Sequence, residues 1–115
     1  KHIKVECLIN VPQQFHIQDY IVNDLLSNIL DNAIENCPEN GLIKVNIIYE
    51  QQVLHIQVEN DIDQSFDQTL KTKKDRRYHG YGLKSIRRIV KQYDGQINIE
   101  HNDKIFIIQI ALFIK

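Results

Sequence analysis

The amino-acid sequence predicts an α/β (α+β) two-layer sandwich, in which a mixed β-sheet is covered on one face by helices. The predicted elements follow the order β-α-β-β-loop-α-β-β, and two hairpins in that order exclude an all-parallel sheet. Both predicted helices carry one apolar face, as helices packed on a sheet do. The chain has 115 residues, which is the size of one domain.

The first half of the order rests on local signals. Residues 3–11, "IKVECLINV", are rich in apolar and β-branched residues and predict a strand that ends at Pro12. Asp19 is placed to cap a helix over residues 20–37, and Pro38 stops that helix. Together these signals predict one strand followed by one long helix.

The hairpin that follows is predicted from two apolar segments, residues 42–49 and 53–58, on either side of a short polar turn. Residues 61–79 have no periodicity and are crowded with polar side chains. A loop of that length inside a compact domain is usually functional.

The second half of the order starts with a helix over residues 83–93, whose apolar positions recur at helical spacing. Gly95 is placed to end this helix. Residues 96–101 and 104–114 flank a polar turn and predict a second hairpin. No repeat or low-complexity tract interrupts the chain, so one domain over residues 1–115 is expected.

Composition and charge narrow the classes of function. The chain is 43% hydrophobic and 25% charged, which is typical of a soluble globular domain. The net charge of −1 argues against binding to nucleic acid or direct contact with an anionic membrane. Cys7 and Cys37 have no metal or redox spacing, and a reduced cytosolic setting is a simpler interpretation than a disulfide. Because the chain starts without methionine, we expect a domain excised from a longer protein.

Three asparagines stand at four-residue intervals in the first helix: Asn28, Asn32 and Asn36. On a helical wheel they form a row at the border between the apolar side and the acidic side. The apolar side is predicted to consist of Val22, Leu26, Ile29, Ala33 and Cys37, and the acidic side of Asp24, Asp31 and Glu35. The row is either a solvated helix edge or a ligand site, since an amide oxygen is a neutral hard ligand that suits Mg²⁺ bound to a polyphosphate.

Donors for a phosphate group are abundant in the loop and at the start of the second helix. Five cations occupy seven positions ahead of the helix, and Gly80 and Gly82 precede its predicted start. Glycines there let the backbone approach an anion, which helix N–H groups can bind. His79 either contacts a phosphate or is a surface histidine. The cations are Lys71, Lys73, Lys74, Arg76 and Arg77.

Three segments in this order resemble a known family. "NILDNAIEN" (28–36), "VEN" (58–60) and "HGYGLKSIRRIV" (79–90) are similar to the N, G1 and G2 boxes of the ATP-binding catalytic domain of sensor histidine kinases. That domain belongs to the Bergerat-fold ATPases and kinases. The resemblance covers roughly residues 20–113, and the order of elements agrees with it.

The resemblance implies roles for residues of the asparagine row. Asn32 matches the N-box asparagine that ligates Mg²⁺, and Asn28 matches the position beside the phosphates. Asn36, one turn further along, contacts either the nucleotide or water.

The resemblance also implies that residues 61–79 form the ATP lid and that the segment after it contacts the triphosphate. Gly80 and Gly82 match the G2 glycines, and Tyr81 and Leu83 accompany them. The lid cations Lys73, Lys74, Arg76 and Arg77, with His79, would then lie near the phosphates.

The G1 box departs from the family pattern. Where the family has DxGxG, with an aspartate that receives the adenine amino group, this chain has "NDIDQ" (60–64) and neither glycine. Asn60 stands in place of the aspartate, and its carbonyl can accept the same hydrogen bond without charge assistance. Asp61 is the substitute if the register shifts by one, and weaker nucleotide affinity is expected.

Two further positions indicate the subclass and the reaction. Glu35 replaces a commonly basic residue, and the missing G1 glycines together with "DNAIEN" (31–36) resemble receptors for quorum-sensing peptides in Gram-positive bacteria. Hydrolysing relatives place a glutamate base where this chain has Asn28, and an amide cannot take a proton at neutral pH. The amide at Asn28 therefore favours phosphoryl transfer over hydrolysis.

The resemblance therefore implies a protein histidine kinase catalytic domain that binds ATP and Mg²⁺ and phosphorylates a histidine in a dimerisation domain outside this chain. The full-length protein would be a homodimer in two-component signalling with a response regulator, with this domain on the cytoplasmic side of a membrane-anchored bacterial receptor. Two alternatives remain: a stand-alone Bergerat-fold serine kinase of the anti-sigma-factor type, and a degenerate module acting through protein contacts.

Overall fold

The computed structural model describes residues 2–12, 19–63 and 79–114, and these ranges contain five strands and two helices. The lid cations predicted from the sequence lie outside the described residues. In chain order the elements are β1 (Lys4–Asn10), α1 (Asp19–Asn36), β2 (Leu42–Glu50), β3 (Val53–Asp61), α2 (His79–Gln92), β4 (Gln96–His101) and β5 (Ile105–Phe113).

The strands form one mixed sheet in the order β1-β2-β3-β5-β4. β1 runs parallel to β2, and the other three neighbouring pairs are antiparallel. Both helices pack on the same side, where α1 contacts β3 and α2 contacts β4 and β5. The predicted fold class, a mixed sheet covered on one face by helices, is confirmed.

The core lies between the sheet and the helices because alternate residues of each central strand point toward α1 and α2. In β3 the buried residues are Leu54, Ile56 and Val58, and the intervening side chains face away from the helices. Strand β5 follows the same alternation, so it is buried on one face only. This alternation fixes which residues near the end of β3 face the helices.

The buried side of α1 differs from the predicted one. Leu25 is fully buried at 0% exposure, whereas Leu26 is only partly buried. The predicted apolar side lies too close to Leu26, because α1 packs against α2 as well as against β3. Leu25 lies two turns before Asn32, on the same side of the helix. The buried side of α1 therefore includes part of the asparagine row.

The predicted boundaries of both helices also need correction. Helix α1 already includes Asp19, which was expected to flank it as a cap. Helix α2 begins at His79, four residues before the predicted start, so Gly80 and Gly82 lie within its first turn. The first N–H groups of a helix have no partner within it. The N–H groups around Gly80 and Gly82 are therefore not used within α2, even though both glycines belong to the helix.

The end of α2 depends on two adjacent residues. Asp94, with φ of 50°, takes a left-handed conformation just before Gly95, the residue that was expected to end the helix. Gly95 donates its N–H to the carbonyl of Val90 at 2.8 Å. A Cβ at Gly95 would lie 2.3 Å from the carbonyl oxygen of Ala111, so glycine is required there for close approach to β5.

Candidate functional site

Two buried polar side chains occur among the described residues, and both were predicted as site residues. Asn32 is 5% exposed and Asn60 is 1% exposed. Asn32 belongs to α1 and Asn60 to β3, and these two elements contact each other. Buried amides require hydrogen-bond partners, so their surroundings indicate what each amide can bind.

The asparagine row does not behave as one solvated edge. Asn28 and Asn36 are half-buried, while Asn32 between them is buried with its neighbour Ala33. The acidic side of the helix is solvent-exposed as predicted, at Asp24, Asp31 and Glu35. For Asn32, the interpretation as a solvated helix edge is therefore wrong.

The amide of Asn32 is only half satisfied. Its Oδ1 accepts a hydrogen bond from Nδ2 of Asn36 at 3.3 Å. Its own Nδ2 is buried and has no hydrogen-bond partner among the described residues. A buried donor without a partner costs about 1–3 kcal/mol, a cost that a ligand oxygen placed there would remove.

Asn60 is the next-to-last residue of β3, and its side chain lies on the same helix-facing side of the strand as Val58. It pairs with Ile43 on β2 and with Phe106 on β5, so strands flank it on both sides. Its Nδ2 donates to the carbonyl of Asp61 at 3.0 Å. This bond orients the amide and uses one of the two hydrogens on Nδ2, and Oδ1 is the atom that Asn60 can offer to a ligand as an acceptor.

Asp61 has a different environment from Asn60. Strand alternation turns its side chain to the opposite face, and its Oδ2 accepts a hydrogen bond from the backbone N–H of Leu42 at 2.9 Å. This bond ties the end of β3 to the start of β2. Of the two predicted candidates for the adenine contact, Asn60 alone faces the helices.

The remaining predicted residues fall into two groups. His79, Gly80, Tyr81 and Gly82 form the first turn of α2, and Leu83 follows them half-buried against the core. Most of the predicted lid lies outside the described residues; of its first positions, Asp61 belongs to β3 and Ile62 is buried. The structure therefore brings α1, which carries Asn32, against β3 and α2, the two elements that carry Asn60 and the glycines.

The asparagine side chains of the site could ligate a metal through their amide oxygens. Among the described residues, no three His, Cys, Asp or Glu side chains come together as a metal cluster. Amide oxygens suit Mg²⁺, which keeps several waters and takes further ligands from substrate phosphates. The half-satisfied amide of Asn32 fits such a group: Oδ1 can bind the metal, and Nδ2 can donate to a phosphate oxygen or to a metal-bound water.

One contact in the site was not predicted from the sequence. Asn36 is predicted to contact nucleotide or water, and the structure shows a further contact: its Nδ2 donates to the backbone carbonyl of Asn32 at 2.9 Å and also to Oδ1 of Asn32. The signal was present in the four-residue spacing, since side chains at i and i+4 are neighbours on a helix.

A family model described as a GHKL domain (HATPase_c_5) matches residues 15–113. The chain belongs to the GHKL-domain family. The match includes both helices and four of the five strands described above. No curated protein has a sequence that matches this chain.

Solved structures share the fold of this GHKL domain at low sequence identity. The nucleotide-free catalytic domain of the histidine kinase ThkA has a TM-score of 0.73 at 22% identity, over 96% of this chain and 78% of that one. The mycobacterial sensor histidine kinase MprB has a TM-score of 0.70 at 16% identity, over 96% and 82%. For the histidine kinase domain of the Erythrobacter litoralis EL346 blue-light activated kinase the TM-score is 0.69 at 18% identity, over 97% and 52%. The GHKL domain thus spans about half of that last chain.

Two further facts bear on the setting of the GHKL domain. Neither helix in the described ranges is long and apolar enough to cross a membrane. Cys7 is exposed and Cys37 is buried, and no disulfide joins these two described residues.

The environment of Asn32 predicts that this residue does not stabilise the fold. Asn32→Leu should leave the free energy of unfolding, measured by urea denaturation, unchanged or raised by about 1–2 kcal/mol, because it removes a buried donor that has no partner. The control Ile29→Asn, one turn earlier in the same buried row, should lower it by several kcal/mol. A loss of more than about 2 kcal/mol in Asn32→Leu would show that the Asn32 amide is structural.

Proposed function

We propose that this GHKL domain binds ATP with Mg²⁺ and transfers the γ-phosphoryl group to a histidine outside this chain, as the catalytic domain of a histidine kinase. The observation that carries the proposal is the buried Asn32 amide, whose Nδ2 has no hydrogen-bond partner in the part of the chain that the structure describes. It lies on a helix that packs against the strand carrying Asn60, the other buried polar side chain in the described ranges. Family membership and the fold shared with histidine kinase catalytic domains support it.

Recognition of the base is assigned to Asn60. Adenine presents an amino group at the position where guanine presents a carbonyl oxygen, so an acceptor in the protein selects adenine. Oδ1 of Asn60 is that acceptor, because Nδ2 is held by the Asp61 carbonyl. Asp61 is assigned no contact with the base, since its carboxylate faces away and accepts from Leu42.

Recognition of the phosphates is assigned to α1 and to the start of α2. Mg²⁺, when bound, neutralises charge on the phosphates, and Asn32 would hold it through Oδ1 with Asn28 beside it. The backbone N–H groups around Gly80 and Gly82 lie in the first turn of α2, where a helix attracts anions. Lys73, Lys74, Arg76 and Arg77, with His79 and Tyr81, are assigned to the same role on the basis of sequence.

Transfer is favoured over hydrolysis because Asn28 stands where hydrolysing relatives place a glutamate base. Asn28 cannot accept a proton at neutral pH. Glu35 is exposed on the acidic side of α1, away from buried Asn32. In the transfer, the bond between the γ-phosphorus and the bridging oxygen breaks, a bond to an imidazole nitrogen forms, ADP leaves, and the imidazole proton passes to solvent.

The wider setting is also a proposal. Residues 1–115 would be one domain of a longer, homodimeric membrane receptor, with the acceptor histidine in its dimerisation domain and a response regulator downstream. The replacement of the usual basic residue by Glu35 and the missing G1 glycines support the class of receptors for quorum-sensing peptides.

Phosphoryl transfer is tested with radiolabelled ATP. The isolated chain should incorporate no stable label, whereas adding the dimerisation segment of the full-length protein should produce label that is lost in acid, as phosphohistidine is. Label that survives acid would indicate a serine kinase instead. Stable acid-labile label on residues 1–115 alone would contradict the assignment of the acceptor to another domain.

Base selectivity tests the role of Asn60. Calorimetry should show ATP binding at least about tenfold tighter than GTP binding, because a buried acceptor facing the guanine carbonyl oxygen loses its hydrogen bond. Asn60→Ala should weaken ATP and ADP alike and remove the preference, and the matched variant Asn60→Asp, which keeps an acceptor, should retain it.

Two results would contradict this account of the base. Equal affinity of the unsubstituted chain for ATP and GTP would rule out Asn60 as the selective acceptor. Absence of heat at millimolar ATP with Mg²⁺ would contradict nucleotide binding altogether and favour a module that acts through protein contacts.

A further inference from the structure

The contact between Asn36 and Asn32 links the last residue of α1 to the buried amide one turn earlier. A single atom, Nδ2 of Asn36, lies 2.9 Å from the backbone carbonyl oxygen of Asn32 and 3.3 Å from its Oδ1. An amide nitrogen carries two hydrogens, so it can serve both acceptors at once. Asn36 is half-buried, whereas Asn32 is buried.

The bond to the carbonyl determines how Asn36 is turned. A carbonyl oxygen can only accept, so the group of Asn36 that faces it must be the nitrogen. The same nitrogen then faces the side chain of Asn32. If the Asn32 amide were rotated by half a turn, its Nδ2 would face the Nδ2 of Asn36, and two donors would oppose each other.

We propose that Asn36 is a positioning residue that donates from Nδ2 to both oxygens of Asn32. These two bonds fix which way the Asn32 amide is turned, and therefore which atoms Asn32 presents to a bound Mg²⁺–triphosphate group. The inference rests on the proposed function and adds a residue that does not itself touch the ligand. Oδ1 keeps one lone pair for the metal, and Nδ2 stays directed away from Asn36 as the donor for an anion or a water.

A simpler role for Asn36 predicts different behaviour. Residues near a helix end often bond the carbonyl four residues earlier, and this would only complete the end of α1 before Pro38. Serine can make that same bond to the carbonyl with its short hydroxyl but does not reach the side chain of Asn32. Asn36→Ser therefore separates positioning of Asn32 from completion of the helix.

The experiment compares ATP affinity with Mg²⁺ and in EDTA, by calorimetry, for the unsubstituted chain and for Asn36→Ala and Asn36→Ser. The ratio of the affinity with Mg²⁺ to the affinity in EDTA should fall by about threefold to tenfold in both variants, because each loses a hydrogen bond that orients a metal ligand. The affinity in EDTA should stay constant. Asn98→Ala is the matched control, because it removes an amide-to-amide bond of 3.1 Å to Gln109 on the opposite face of the sheet. Its ratio should not change.

Three results would overturn the inference. A normal ratio in Asn36→Ser would show that only the bond to the carbonyl matters. Equal losses with and without Mg²⁺ in Asn36→Ala, together with a lower urea midpoint, would show a structural role. An unsubstituted chain that binds ATP no better with Mg²⁺ than in EDTA would contradict the proposed metal site itself, and this result is seen before any variant is measured. If Asn36→Ala does not fold, Asn36→Ser alone decides.

Discussion

The burial of a polar amide in the layer between α1 and the sheet is the constraint on which the rest of the site depends. Helix α1 packs its row of Leu25, Ile29 and Ala33 toward the core, and that orientation carries Asn32 inward with them. An apolar residue at this position would fill the same space without leaving a donor unpaired. The fold thus retains a group that costs stability, and such a group is explained most simply by a ligand that completes its hydrogen bonds.

Each of the two buried amides is oriented by a neighbour in its own element. Asn60 is held through its nitrogen by the carbonyl of Asp61, so it offers an oxygen. Asn32 is held through its oxygen by Asn36, so it offers a nitrogen and the second lone pair of that oxygen. Local bonds within a strand and within a helix therefore set the polarity that a ligand would meet between them.

Much of this arrangement could be predicted from the sequence because it depends on periodicity. The alternation of Leu54, Ile56 and Val58 predicted the buried face of β3, and the same alternation places Asn60 on that face and Asp61 on the other. The family motifs predicted Asn28, Asn32 and Asn60 as site residues. The sequence pattern alone could not decide between Asn60 and Asp61 for the adenine contact, because a register shift by one residue turns a side chain to the opposite face of the sheet.

What the sequence did not predict depends on contacts between elements or on close approach. The choice between Leu25 and Leu26 is decided by the second helix that packs on α1, which a helical wheel does not include. Asp94 takes the left-handed conformation at the end of α2, and Gly95 is needed for the close approach to the carbonyl of Ala111. The bond from Asn36 to Asn32 requires particular side-chain rotamers, and spacing alone indicates only that the two residues are neighbours.

The most direct measurement is a titration of the ¹⁵N-labelled chain with ATP and Mg²⁺, followed by NMR through the side-chain amide signals of asparagine and glutamine. The account predicts saturable shifts for Asn32 and Asn60, with no change at Asn98, Gln57 and Gln109, which bond to one another on the face of the sheet away from the helices. Shifts confined to those three amides, or no shift of Asn32 and Asn60 at millimolar nucleotide, would contradict it.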